Sequence, residues 1–115
     1  MSLNVDTREV DGVVIVDLSG RITLGEDSSG KLRQTVRDLL AQGNKKILLN
    51  LGNISYIDSS GLGELVASFS TASSQGSTVK LLNLQQKVKD LLQITKLYTV
   101  FDVSDSEADA VASFS

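Results

Sequence analysis

The residues best suited to chemistry form one run, Asp58-Ser59-Ser60-Gly61-Leu62-Gly63, where a strand-like stretch gives way to helical spacing. Asp, Ser and Gly suit a helix start because side chain and backbone accommodate the free N–H groups of the first turn. Gly61 and Gly63 would let a partner approach the main chain closely. A phosphate carried on a hydroxyl here would meet those N–H groups and the positive end of the helix dipole. It would also bring about two negative charges beside Asp58, which repels them. Modification at this spot changes a surface and leaves a core alone. The plainer alternative is that Asp58, Ser59 and Ser60 only cap a helix.

Catalytic readings of the same run fail on residue types. A phosphate-cradling loop needs a Lys after its glycines, and Gly63 is followed by Glu64. The chain has no His and no Cys, which removes Ser-His-Asp and Cys-His triads, thiolate nucleophiles, disulfides and the usual zinc ligand sets. An aspartate accepting phosphate in a receiver-type domain needs an acidic cluster after the first buried strand, and Asp17-Leu18-Ser19-Gly20 offers a single carboxylate. No catalytic residue, metal site or cofactor is therefore expected.

The elements that must position this run are legible along the chain. Leu3 to Val10 alternates loosely, Asp11-Gly12 signals a tight turn, and Val13-Val14-Ile15-Val16-Asp17-Leu18 is apolar enough for a strand buried on both faces. A short crossing segment, Ser19 to Gly25, follows. Leu32, Val36, Leu39 and Leu40 recur at helical spacing, with Ser28 or Ser29 as N-cap and Gly43 as the stop. Lys46 to Leu51 is a second buried strand and residues 52–57 a loop. Leu62, Leu65, Val66, Phe69 and Ala72 trace a helix ending near Gly76. Val79 to Leu82 reads as a strand, Val88, Leu91 and Leu92 as a short helix, and Val100 to Val103 as a last strand. Ser104 with Glu107 has the form of a capping box opening a helix through Ala108, Val111 and Ala112. The expected architecture is α/β, with a mixed, partly parallel sheet.

Length and charge set the frame. At 115 residues the chain is roughly three-quarters of an average domain, so one unit spanning 1–115 is expected. Only 4% of residues are aromatic, so the core must be aliphatic. Eleven basic and fourteen acidic residues give a net charge of −3, which argues against direct binding of nucleic acid or anionic lipid. Lys45-Lys46 and Lys87-Val88-Lys89 are too small for a nucleic-acid footprint. No run of about 18 apolar residues exists and the first residues lack an apolar signal core, so a cytoplasmic location without membrane contact is expected.

The hairpin, the strand ending Leu18-Ser19-Gly20, the Ile47 to Leu51 strand and Tyr56-Ile57-Asp58-Ser59-Ser60-Gly61-Leu62-Gly63 together resemble a STAS domain, most nearly the bacterial anti-sigma factor antagonists. The similarity runs roughly from Leu3 to Ala112. It implies the STAS fold, a mixed and mostly parallel sheet of four to five strands with helices largely on one face. It implies a regulatory switch with no catalysis of its own. In that family the Ser directly after the Asp is phosphorylated by an anti-sigma factor that is also a serine kinase. The unphosphorylated form binds that kinase and frees a sigma factor, and a PP2C-type phosphatase resets the switch. Carried over, Ser59 is the phosphoacceptor, Ser60 the second candidate, and Asp58 helps to present the hydroxyl. The partner surface would comprise Asp58, Ser59, Ser60, Gly61, Leu62 and Gly63 with Arg21 and Thr23.

One stretch departs from the family. Many antagonists carry an acidic residue after the Gly corresponding to Gly20, and here the chain reads Arg21-Ile22-Thr23. Arg21 either pairs with an acidic kinase surface or is simply solvated. The resemblance also admits a structural STAS subunit of a lipid or anion transport complex, and more weakly a nucleotide-binding role. Leu24, Tyr98 and Phe101 are candidates for an exposed apolar patch, with Phe101 expected in the core. Ser28, Ser29, Ser73 and Ser74 are expected to be surface polar residues rather than further phosphosites.

Overall fold

The structure, a computed structural model, describes residues 3–114; Met1, Ser2 and Ser115 of the expected 1–115 unit lie outside the described residues. Strands β1 (Leu3–Val10) and β2 (Val13–Ile22) form an antiparallel hairpin in which Val10 pairs with Val13. Asp11 and Gly12 both have positive φ, 51° and 81°, the geometry whose twist matches a two-residue hairpin. Helix α1 (Ser29–Ala41) leads to β3 (Lys46–Ile57), parallel to β2, and α2 (Ser59–Ser74) leads to β4 (Thr78–Leu82), parallel to β3. Helix α3 (Gln86–Ile94), a single 3₁₀ turn (Leu97–Thr99), β5 (Val103–Ser104) and α4 (Glu107–Ala112) complete the order. The sheet order is β1-β2-β3-β4-β5, with only the first pair antiparallel.

Both sheet faces are covered, as the uninterrupted apolar strands require. Val14, Val16 and Leu18 of β2 and Ile47, Leu49 and Leu51 of β3 meet Leu32 and Val36 of α1, Leu65 of α2 and Leu92 of α3. Val13, Ile15, Leu48 and Leu82 point the other way and pack beneath Ala110 and Val111 of α4. Three helices thus share one face, and α4 alone covers part of the other. Among the described residues no helix is long and apolar enough to cross a membrane.

The strands differ from the sequence reading in two regions. The first part of the expected crossing segment, Ser19 to Ile22, and the loop at 52–57 are strand, while Thr23 to Gly25 do cross over: β2 runs on to Ile22 and β3 to Ile57, paired as Arg21 with Tyr56 and Ile22 with Ile57. Between Asp17–Asn50 and Ser19–Asn53, and again between Gly20–Ile54 and Arg21–Tyr56, β3 holds one more residue than β2. These two bulges break the period of two, so the buried residues fall at Leu51, Ile54 and Ile57 and mimic irregular chain. At the C-terminal end, Val100 to Val103 is not a strand. Past the 3₁₀ turn at Leu97–Thr99 the chain bends at Phe101, whose side chain is drawn into the core edge-on to Phe69, with ring centroids 5.6 Å apart at 74°. Only Val103 and Ser104 pair with β4. Nor is Ser104 the cap of α4. Ser106 is, its hydroxyl accepting from the Asp109 amide at 3.3 Å, and Glu107 turns away to Arg8.

Candidate functional site

The site is built where β2 and β3 end together and α2 begins. Asp58 is the N-cap, extended at φ −93° and ψ −177°. Its Oδ1 accepts from the Gly61 amide at 2.8 Å and its Oδ2 from the Leu24 amide at 3.1 Å, while its own amide donates to the Ile22 carbonyl at 3.2 Å. Asp58 therefore ties three things together: its carboxylate holds the helix start and the turn after β2, and its own amide holds the end of β2. The Gly61 amide is the main reason its carboxyl is held below the ordinary value of 3.8. Desolvation opposes this, and the Leu24 and Ser60 amides add to it. Neither carboxylate oxygen is directed at the Ser59 hydroxyl through these bonds; what they fix is the backbone on either side of it.

Gly61 is where the chain permits only glycine. A methyl group built on it would collide with the backbone carbonyl of Ile22. The first turn of α2 thus sits directly on the end of β2, and the close approach that the glycines promised is internal at this position. Gly61 and Leu62 are buried and support the surface from beneath; Gly63 is exposed, with nothing within 4 Å of an added methyl. Ser59, the first residue of α2, is exposed and Ser60 half-buried.

The two serines face different ground. Ser60 borders a groove of about 400 Å³ between the starts of α1 and α2, where Arg33 pairs with Glu64 at 3.3 Å and Leu24 forms the rim at 79% exposure. Ser59 and Asp58 border a second groove of about 280 Å³, walled by Tyr56 and Ile57 of β3 and by Lys87, Val88 and Leu91 of α3. Arg21 is exposed, and its guanidinium carbon lies 5.4 Å from the centre of the Tyr56 ring, within cation–π range. Thr23 is half-buried and locked through its backbone, its amide donating to Ser28 Oγ at 2.8 Å and its carbonyl accepting from the Ser29 amide at 2.9 Å.

Ser28 and Ser29 are not surface residues. Both are buried, and Ser28 Oγ donates to the Arg21 carbonyl at 2.7 Å while accepting from Thr23, so it braces the loop instead of capping α1. Leu24 and Tyr98 are exposed and Phe101 is core, so the three do not make one patch. Sequence reasoning missed Tyr56, Lys87 and Leu91 as neighbours of Ser59. The only hint was Leu91, apolar at helical spacing yet half-buried. Among the described residues no cluster of acidic side chains fit to hold a metal ion is present.

The STAS domain model matches residues 4–110 of the chain. The chain belongs to the STAS domain family. This STAS domain is 34% identical over 104 residues to the anti-sigma-B factor antagonist of Bacillus subtilis, covering 90% of this chain and 93% of the relative. A solved Thermotoga maritima structure superposes with a TM-score of 0.86 at 27% identity, covering 95% of this chain and 92% of that one. The Bacillus protein SpoIIAA, solved in its phosphorylated form, shares the fold at a TM-score of 0.73 and 19% identity, covering 97% of this chain and all of that one. The STAS fold expected from the sequence, with its mostly parallel five-stranded sheet, is the fold observed.

Proposed function

We propose that this STAS domain is an anti-sigma factor antagonist switched by phosphorylation of Ser59. The observation that carries the reading is the placement of Ser59: exposed, first in α2, on a helix start fixed by Asp58 and Gly61. The relative at 34% identity, an anti-sigma-B factor antagonist, supports the same assignment. In the proposed reaction the Ser59 oxygen attacks the γ-phosphorus of ATP held by the partner kinase. The new P–O bond forms as the bond to ADP breaks. The hydroxyl proton passes to a base of the kinase, because the Asp58 carboxyl, held below its ordinary value chiefly by the Gly61 amide, is a weak proton acceptor.

The unphosphorylated domain binds that anti-sigma kinase through Asp58, Ser59, Ser60 and Gly63, carried on the buried Gly61 and Leu62, with the flanking Arg21 and Thr23, and thereby frees a sigma factor. A PP2C-type phosphatase removes the phosphoryl group and returns the domain to its binding form. The test is incubation with an anti-sigma factor serine kinase and ATP, then peptide mapping by mass spectrometry. Phosphate on Ser59, lost in Ser59→Ala, is expected. Full incorporation in Ser59→Ala, on Ser60 or elsewhere, overturns the assignment. Recovery of a membrane transporter in place of such a kinase on affinity capture would favour the structural-subunit role.

A further inference from the structure

Lys87 lies in the first turn of α3, on the wall of the groove opposite Ser59. It is exposed, and among the described residues it forms no ion pair. Its neighbour on the helix, Lys89, pairs with Asp105 at 3.6 Å, and Lys80 of β4 pairs with Asp102 at 3.5 Å. The remaining charged groups around Ser59 are accounted for as well. Asp58 accepts from the Gly61 and Leu24 amides, Arg21 lies over the Tyr56 ring, Glu64 pairs with Arg33 in the other groove, and Asp90 accepts from Gln86 at 2.8 Å.

A phosphoryl group on Ser59 would carry a charge approaching −2 beside the Asp58 carboxylate. The helix start gives it less relief than usual, because the Gly61 amide is already engaged by Asp58. The cation lining the same groove is Lys87, among Tyr56, Ile57, Val88 and Leu91. We propose that Lys87 receives the phosphate: once Ser59 is phosphorylated, the ammonium pairs with the phosphoryl oxygens across the groove and holds them against α3. This deepens the reading of Ser59 as phosphoacceptor and rests on it. Phosphorylation then does more than add charge, because it draws Lys87 over a partly apolar groove that is open in the unmodified domain.

The experiment places phosphoserine at position 59 during translation, by codon reassignment, and follows its second ionisation by ³¹P NMR. With Lys87 in place, that ionisation falls at a pH about half a unit lower than in Lys87→Gln, the size expected for a cation near a solvent-facing phosphate. Lys87→Arg keeps the low value. Lys89→Gln, an equal loss of charge on the same helix, leaves it unchanged. Equal titration of Lys87→Gln and the parent, or an equal displacement in Lys87→Gln and Lys89→Gln, overturns the proposal. Because no kinase is used, the result stands apart from whether a kinase modifies Ser59.

Discussion

Gly61 and Gly63 belong to the same helical turn, yet an added methyl group has opposite consequences at the two. In the exposed interior of a helix, Gly costs about 1 kcal/mol relative to Ala. Gly63 faces open space, so Gly63→Ala is expected to stabilise the domain by about 0.5–1 kcal/mol. At Gly61 the same methyl meets the Ile22 carbonyl, a backbone atom that cannot rotate away, and the cost of overpacking is expected to reach about 3 kcal/mol. Urea midpoints of the two variants read the contrast directly. Two shifts of the same sign would mean that α2 does not start in contact with β2. The Asp58 carboxylate depends on that contact, since one of its two hydrogen bonds is to the Gly61 amide.

At the scale of elements, the second face of the sheet depends on a six-residue helix held by its ends. Arg8 of β1 donates to Asp17 of β2 through Nε at 2.7 Å and to Glu107 of α4 through Nη1 at 3.0 Å. Lys80 donates to the Ser113 carbonyl at 2.9 Å, just past the end of α4, with its Nζ 4.8 Å from the centre of the Phe114 ring. Hydrogen bonds from Arg8 are the main reason the Asp17 and Glu107 carboxyls lie below their ordinary values of 3.8 and 4.5. The folded chain therefore binds fewer protons than the unfolded one in acid. The contribution is complete above those values and fades as pH falls through the lower folded ones. Since the groups are largely exposed, Arg8→Met is expected to cost about 1 kcal/mol or less at neutral pH. By about pH 3 the gap to the parent should narrow, and urea unfolding at both pH values checks this. A gap independent of pH would place the effect of Arg8 in packing. This network was invisible in the sequence because its members are joined by sheet register and by the return of α4. The hairpin turn, the helix faces and the Asp58 cap were legible because each is written in neighbouring residues. The ends of β2 and β3 were not, since two bulges erase the alternation that marks a strand. Lys87 was hidden for the same reason as Arg8: the fold, not the local spacing, sets it beside Ser59.

For the molecule as a whole, the proposed switch acts through charge placed at one end of the fold. The domain carries a net charge of −3, and a phosphoryl group takes it to about −5, with the added charge concentrated on the ridge between two grooves. Nothing in the core needs to move for such a change to be read by a partner, since Ser59 is exposed while Gly61, Leu62 and Leu65 beneath it are buried. The mechanism that follows is electrostatic and local, and it separates from steric blocking by its response to salt. Ser59→Asp places a permanent carboxylate at the ridge, beside Asp58, with less bulk than a phosphoryl group. Calorimetric titration against the anti-sigma kinase is expected to show affinity reduced about tenfold, equivalent to about 1.4 kcal/mol. Raising the ionic strength toward about 1 M, where the screening length falls to about 3 Å, should recover most of that difference. A deficit that persists undiminished at high salt would mean that shape at position 59 excludes the kinase. Ser59→Asn, nearly the same size without the charge, then separates the two, because it retains near-parent affinity only if charge is what the kinase reads.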